Sequence, residues 1–74
     1  MGELSILAHT GALKFTWDPA MPDEIMSVKK HFEIFLEENY SAFILDNNRG
    51  EGKKISAFDP SAEKIIMIPK LGGG

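Results

Sequence analysis

The chain has 74 residues, of which 43% are hydrophobic and 26% charged, with a formal net charge of −3 and no cysteine. That length fits one domain, near the size at which a single core just suffices, and the composition is that of a folded globule. It excludes disulfides, thiolate nucleophiles and cysteine-ligated metals, and it argues against a general nucleic-acid binder, which needs a surplus of Lys and Arg for phosphate.

Leu4, Ile6 and Ala8 alternate with Ser5, Leu7 and His9; after Thr10-Gly11, Leu13, Phe15 and Trp17 alternate with Lys14 and Thr16. This period of two on either side of a glycine turn predicts a β-hairpin that stops at Asp18-Pro19. Pro22 suits the first turn of a helix, and Asp23 and Glu24 place negative charge at its positive end. Ile25, Val28, Phe32, Phe35 and Leu36 then recur at helical spacing, which predicts one amphipathic helix of about four turns, closed at Asn39. Glu37 and Glu38 sit at its carboxyl end, against the dipole.

Residues 42–45 read as a third strand, 46–52 as a polar hairpin loop and 54–58 as a weaker returning strand. Residues 59–63 read as a turn or a single helical turn, and the last strand follows at 64–68. Because Ile65, Ile66, Met67 and Ile68 are apolar without a break, this strand is expected to be central and covered on most sides. The arrangement that satisfies these elements places it parallel to the first strand, with the helix across one sheet face and a right-handed crossover. The fold class is therefore α+β, with four to five strands in a mixed sheet packed on one helix.

Nothing in the chain reads as catalytic machinery. His9 and His31 lack a second ligand at metal spacing, so no metal site is expected. Asp23-Glu24 and Glu37-Glu38 are neighbours that diverge around the helix axis and read as solvated faces. Lys53-Lys54 and Arg49-Gly50-Glu51-Gly52 lack the glycine-rich loop and following Lys-Ser or Lys-Thr of a phosphate loop. Phe15, Trp17, Phe32, Phe35 and Phe43 have the spacing of a small core, with Trp17, at a strand end beside Asp18-Pro19, expected to be partly exposed as a candidate partner contact. Residues 1–48 carry three basic and eight acidic groups, and residues 49–74 five basic and three acidic. This unevenness fits either solvated faces or a docking surface.

A hairpin, a helix of this length, further short strands and a terminal strand leading through Pro69 into Gly72-Gly73-Gly74 resemble the β-grasp, or ubiquitin-like, fold. More narrowly, the sequence DPSAEKIIMIPKLGGG at 59–74 resembles the ends of the small sulfur carriers of thiamin and molybdopterin biosynthesis, in which an acidic turn, an apolar strand, a proline and a terminal Gly-Gly follow one another. Three glycines stand here where the carriers end in two, and the stretch 46–58 has no counterpart among carrier hallmarks. The resemblance implies a single domain at 1–71 with a flexible tail at 72–74.

It further implies that the chain is a substrate and not an enzyme. Gly73 and Gly74 would be the carrier or conjugation terminus, with Pro69, Leu71 and Gly72 recognised in the tail. The partner would be an adenylating enzyme that uses ATP, with no cofactor bound by the chain itself. A sulfur acceptor enzyme or the lysines of target proteins would follow, according to whether the chain is a sulfur carrier or a protein modifier. The alternative is a non-conjugated interaction module, such as a small phage, plasmid or accessory protein, that docks a partner by its sheet face or edge through residues such as Lys14 and Thr16. Without a basic stretch leading into an apolar run at the amino terminus, and with an apolar stretch at 65–68 too short for a bilayer, the expected location is cytoplasmic with no membrane partner.

Overall fold

The computed structural model describes residues 1–45 and 52–69. Five strands and one helix follow in the order β1 (Gly2–Ala8), β2 (Gly11–Trp17), α1 (Pro22–Glu37), β3 (Tyr40–Leu45), β4 (Gly52–Ile55) and β5 (Lys64–Pro69). The strands form one mixed sheet in the order β2-β1-β5-β3-β4. β1 and β5 are parallel, and the β1/β2, β3/β4 and β3/β5 pairs are antiparallel. The last strand is thus the middle one and runs beside the first, as the sequence predicts. This is an α+β, β-grasp-like arrangement, with the helix on one face of the sheet.

The register sorts the side chains into two faces, because directly paired residues share a side and neighbours in a strand do not. Leu4 and Ile6 of β1, Trp17 of β2, Ala42 of β3, and Ile65 and Met67 of β5 are buried with Val28 and Phe32 of α1. Phe15, Ile25, Phe35, Leu36, Tyr40, Ile44, Ile55 and Phe58 pack around them. The helix therefore covers this face with the stripe its spacing predicts.

Pro22 stands in the first turn of α1, and no side chain caps the helix at Met21. Instead, Glu24 reaches back so that its Oε1 accepts the Asp18 backbone N–H at 2.9 Å, while Asp18 Oδ1 accepts the Ala20 N–H at 2.9 Å. At the other end Asn39 takes φ 69°, the left-handed conformation that stops the helix and turns the chain into β3. No basic residue offsets the carboxylates of the last turn.

Four expectations need correction. Trp17 is fully buried and not partly exposed, its Nε1–H donating to the Pro60 carbonyl at 3.0 Å. The 59–63 turn folds back under β2 and supplies an acceptor that nothing near Trp17 in sequence announces. Phe43 is not part of the core: it pairs with Ile66 and Lys54 on the face away from α1, and small Ala42 points inward. β4 spans Gly52–Ile55 and does not reach Phe58, whose ring instead meets Trp17 and Phe32 edge-on at centroid distances of 4.9 and 5.6 Å. Finally, β5 is covered on one face, with Ile65 and Met67 buried and Ile68 39% exposed. The predicted loop at 46–52 lies outside the described residues except for Gly52.

Candidate functional site

Two places carry the candidate residues: the end of β5 and the sheet face that α1 leaves uncovered. β5 ends at Pro69, which is paired with Tyr40 at the start of β3. Tyr40 in turn meets Phe35 edge-on at 5.1 Å, so the strand finishes beside the carboxyl end of α1. A shallow cleft of about 250 Å³ opens there, with Leu36, Asn39, Tyr40, Ser41, Lys54 and Ser56 among its walls. Of the residues assigned to the tail, Pro69 is thus placed at the end of the central strand. Leu71, Gly72, Gly73 and Gly74 lie outside the described residues.

The turn before β5 is held by its own chemistry. Asp59 Oδ1 accepts the Ser61 hydroxyl at 2.6 Å and the Ser61 backbone N–H at 2.9 Å, and these bonds hold the carboxyl below its ordinary range, with the Lys53 charge a lesser cause. The Ala62 N–H donates to the Asp59 carbonyl, and the Glu3 N–H to the Glu63 carbonyl, which fastens the entry to β5 against β1. The acidic turn of the DPSAE stretch is therefore a structural brace for the terminal strand.

On the uncovered face, Glu3 lies between β2 and β5. Its carboxylate is 3.1 Å from Lys64 Nζ and 3.4 Å from Lys14 Nζ. The bond from Lys64 is the largest cause holding the Glu3 carboxyl below its ordinary range; desolvation opposes it, and Lys14 adds a lesser lowering. Around this triad the register places Ser5, Leu7, Ala12, Thr16, Ser41, Phe43, Leu45, Lys54, Ile66 and Ile68 on the same side.

Among the described residues no group of three or more His, Asp and Glu is arranged to hold a metal. His31 stacks on Phe15 at 4.5 Å with its Nδ1 2.9 Å from the Ser27 carbonyl, and so serves to pack α1 on β2. No helix of the described residues is long and apolar enough to cross a membrane. Compared with protein-family models, curated proteins and solved structures, the chain matches none of them.

Proposed function

We propose that this chain is a ubiquitin-like sulfur carrier or protein modifier whose reactive group is the carboxylate of Gly74. The observation that carries the reading is the position of β5: the last strand is the middle of the sheet and ends at Pro69, directly ahead in sequence of Lys70-Leu71-Gly72-Gly73-Gly74. A rigid strand followed by a proline fixes where such a tail begins. Glycines, with no side chains, can enter a narrow channel and let enclosing backbone approach closely.

In this reading a partner enzyme joins the Gly74 carboxylate to the α-phosphate of ATP, releasing pyrophosphate and leaving an acyl adenylate. A sulfur nucleophile then attacks the acyl carbon and AMP departs. The product is a terminal thiocarboxylate if the sulfur is donated to the chain. It is a thioester to an enzyme cysteine if the chain is on its way to a lysine amine. The chain supplies the carboxylate and the tail's shape, and the partner supplies the catalysis.

The test is removal of Gly73 and Gly74, with the full and shortened chains incubated with ATP and an extract of the native cells. The full chain should gain the adenylate or its sulfur product and the shortened one should not, while their melting temperatures agree within about 1 °C because glycine has no side chain to bury. Activation of the shortened chain would contradict the proposal. The uncovered sheet face favours one rival, a non-conjugated interaction module. It predicts that the shortened chain keeps its partner and that Lys14 and Thr16 decide binding.

A further inference from the structure

We infer that Tyr40 is the positioning residue of the tail: it holds Pro69 at the end of β5, and so fixes where the strand stops and the run to Gly74 starts. The consequence for chemistry rests on the reading of Gly74 as the reactive group. β5 lies between two strands over most of its length, but its pairing with β1 ends at Ile6 and Met67. Beyond that point β3 is its only strand neighbour among the described residues, through Ser41 opposite Ile68 and Tyr40 opposite Pro69. The last two residues of the strand are therefore held from one side.

The outer of these two rungs has no hydrogen bonds of its own. Proline lacks an N–H, so Tyr40 and Pro69 cannot exchange the two bonds of a hydrogen-bonded pair. They face each other as the other kind of antiparallel pair, with Cα atoms about 4.5 Å apart and side chains at their closest. Both are half-buried, and both share the α1 side of the sheet with Ala42 and Met67, two residues along in each strand. Side-chain packing against Tyr40 is thus what keeps Pro69 in register. Tyr40 is itself fixed twice: its ring meets Phe35 of α1 edge-on at 5.1 Å, and Asn39, at φ 69°, sets the angle at which helix gives way to strand.

A fixed strand end matters because the run beyond it is short. Five residues follow Pro69, three of them glycine, and they span at most about 17 Å. If the outer rung opened, Pro69 and then Ile68 would join that run, and each would have to be ordered again when a partner enzyme took the tail into its channel. Ordering the backbone of one further residue weakens capture about tenfold. The cost falls before the chemical step, so it raises KM and leaves the maximal rate unchanged.

The experiment compares the parent with Tyr40→Ala, Tyr40→Phe and Val28→Ala, each as the full chain. Amide hydrogen exchange followed by nuclear magnetic resonance reads the strand end. The rate of ATP-dependent adenylate formation against chain concentration, in a fixed amount of extract of the native cells, gives KM and the maximal rate. Tyr40→Ala should speed exchange about tenfold more at Ile68 than at Ile66, and raise KM about tenfold at an unchanged maximal rate. Tyr40→Phe, which keeps the ring and loses only the hydroxyl, should match the parent in both. Val28→Ala, which thins the core under α1, should speed exchange at Ile66 and Ile68 alike and leave KM unchanged, so it reports the loss of stability alone. Should Tyr40→Ala fail to fold, Tyr40→Leu carries the same test in the same direction, because its side chain has no ring to set against Phe35.

Equal exchange at Ile68 in the parent and the truncated variant, a Tyr40→Phe as impaired as Tyr40→Ala, or a KM raised as much by Val28→Ala would overturn the inference. So would a fall in the maximal rate at an unchanged KM. If the parent is not activated at all, the reading of Gly74 fails, and exchange at Ile68 still decides whether Tyr40 holds the strand end.

Discussion

Gly2 sits in β1 opposite Trp17, and a Cβ at that position would overlap the six-membered part of the indole. The glycine is thus the space into which the largest core side chain fits. Read from the sequence alone, a glycine after the first methionine is indistinguishable from an added residue; only the pairing with Trp17 shows what it does. Gly2→Ala is expected to destabilise the fold by about 2–3 kcal/mol through overpacking, since both the strand backbone and the buried ring resist displacement. Denaturant unfolding followed by the single tryptophan would measure it. Trp17 misleads for a related reason: its hydrogen-bond acceptor lies 43 residues away, beyond the reach of any local pattern.

Asp59 gives a pH-dependent test at the same scale. Its carboxyl is held below the ordinary range by the Ser61 hydroxyl and N–H, so the charged form is favoured in the fold. A group with a lowered folded pKa contributes stability above its unfolded pKa and loses it as pH falls through the folded one. Glu3, lowered chiefly by Lys64, acts in the same direction. Stability should therefore decline on the acid side of the carboxylate range, and Asp59→Ala should lower the melting temperature near neutrality while flattening that decline. A decline as steep in the variant as in the parent would remove Asp59 from the account.

At the scale of elements, α1 was legible because both of its signals are local: Pro22 with acidic residues at one end, and an apolar stripe along its length. Asn39, with φ 69°, ends it in the backbone region where asparagine is tolerated and β-branched residues are not. Asn39→Gly should leave stability within about 0.5 kcal/mol, and Asn39→Val should cost about 1–2 kcal/mol, as thermal unfolding of the pair would show. Equal stability of the two would mean that the turn relaxes out of the left-handed region. The strands were harder to read. In β3 the large Phe43 faces out while the small Ala42 faces in, because the core over that strand is already filled from α1 and β5. Phe58 has the hydrophobicity of a strand residue but reaches the core from an irregular turn, where its ring closes against Trp17 and Phe32. An apolar residue thus reports burial or exposure to a partner, and the sequence alone does not separate the two.

At the scale of the whole molecule, the central place of β5 was legible from the unbroken run Ile65, Ile66, Met67, Ile68, although that run marks one buried and one uncovered face instead of two buried ones. Of the proposed tail site, Pro69 stands at the end of β5, while Leu71 to Gly74 are read from the sequence alone, where their signals are contiguous. The charged residues of the uncovered face were not legible as a group, since Glu3, Lys14, Lys54 and Lys64 come from four strands and share a side only through the sheet order. The same order sets β5 at the centre, with its end at Pro69 and one of its faces turned away from α1. The most direct measurement of the central claim is the intact mass of the untagged protein from its native cells, together with a search for Gly74 in isopeptide linkage to other proteins. An oxygen-to-sulfur change at the carboxyl end, or Gly74 joined to lysine, is the predicted result. A chain present only as the unmodified free carboxylate, under growth conditions that demand either pathway, would contradict it.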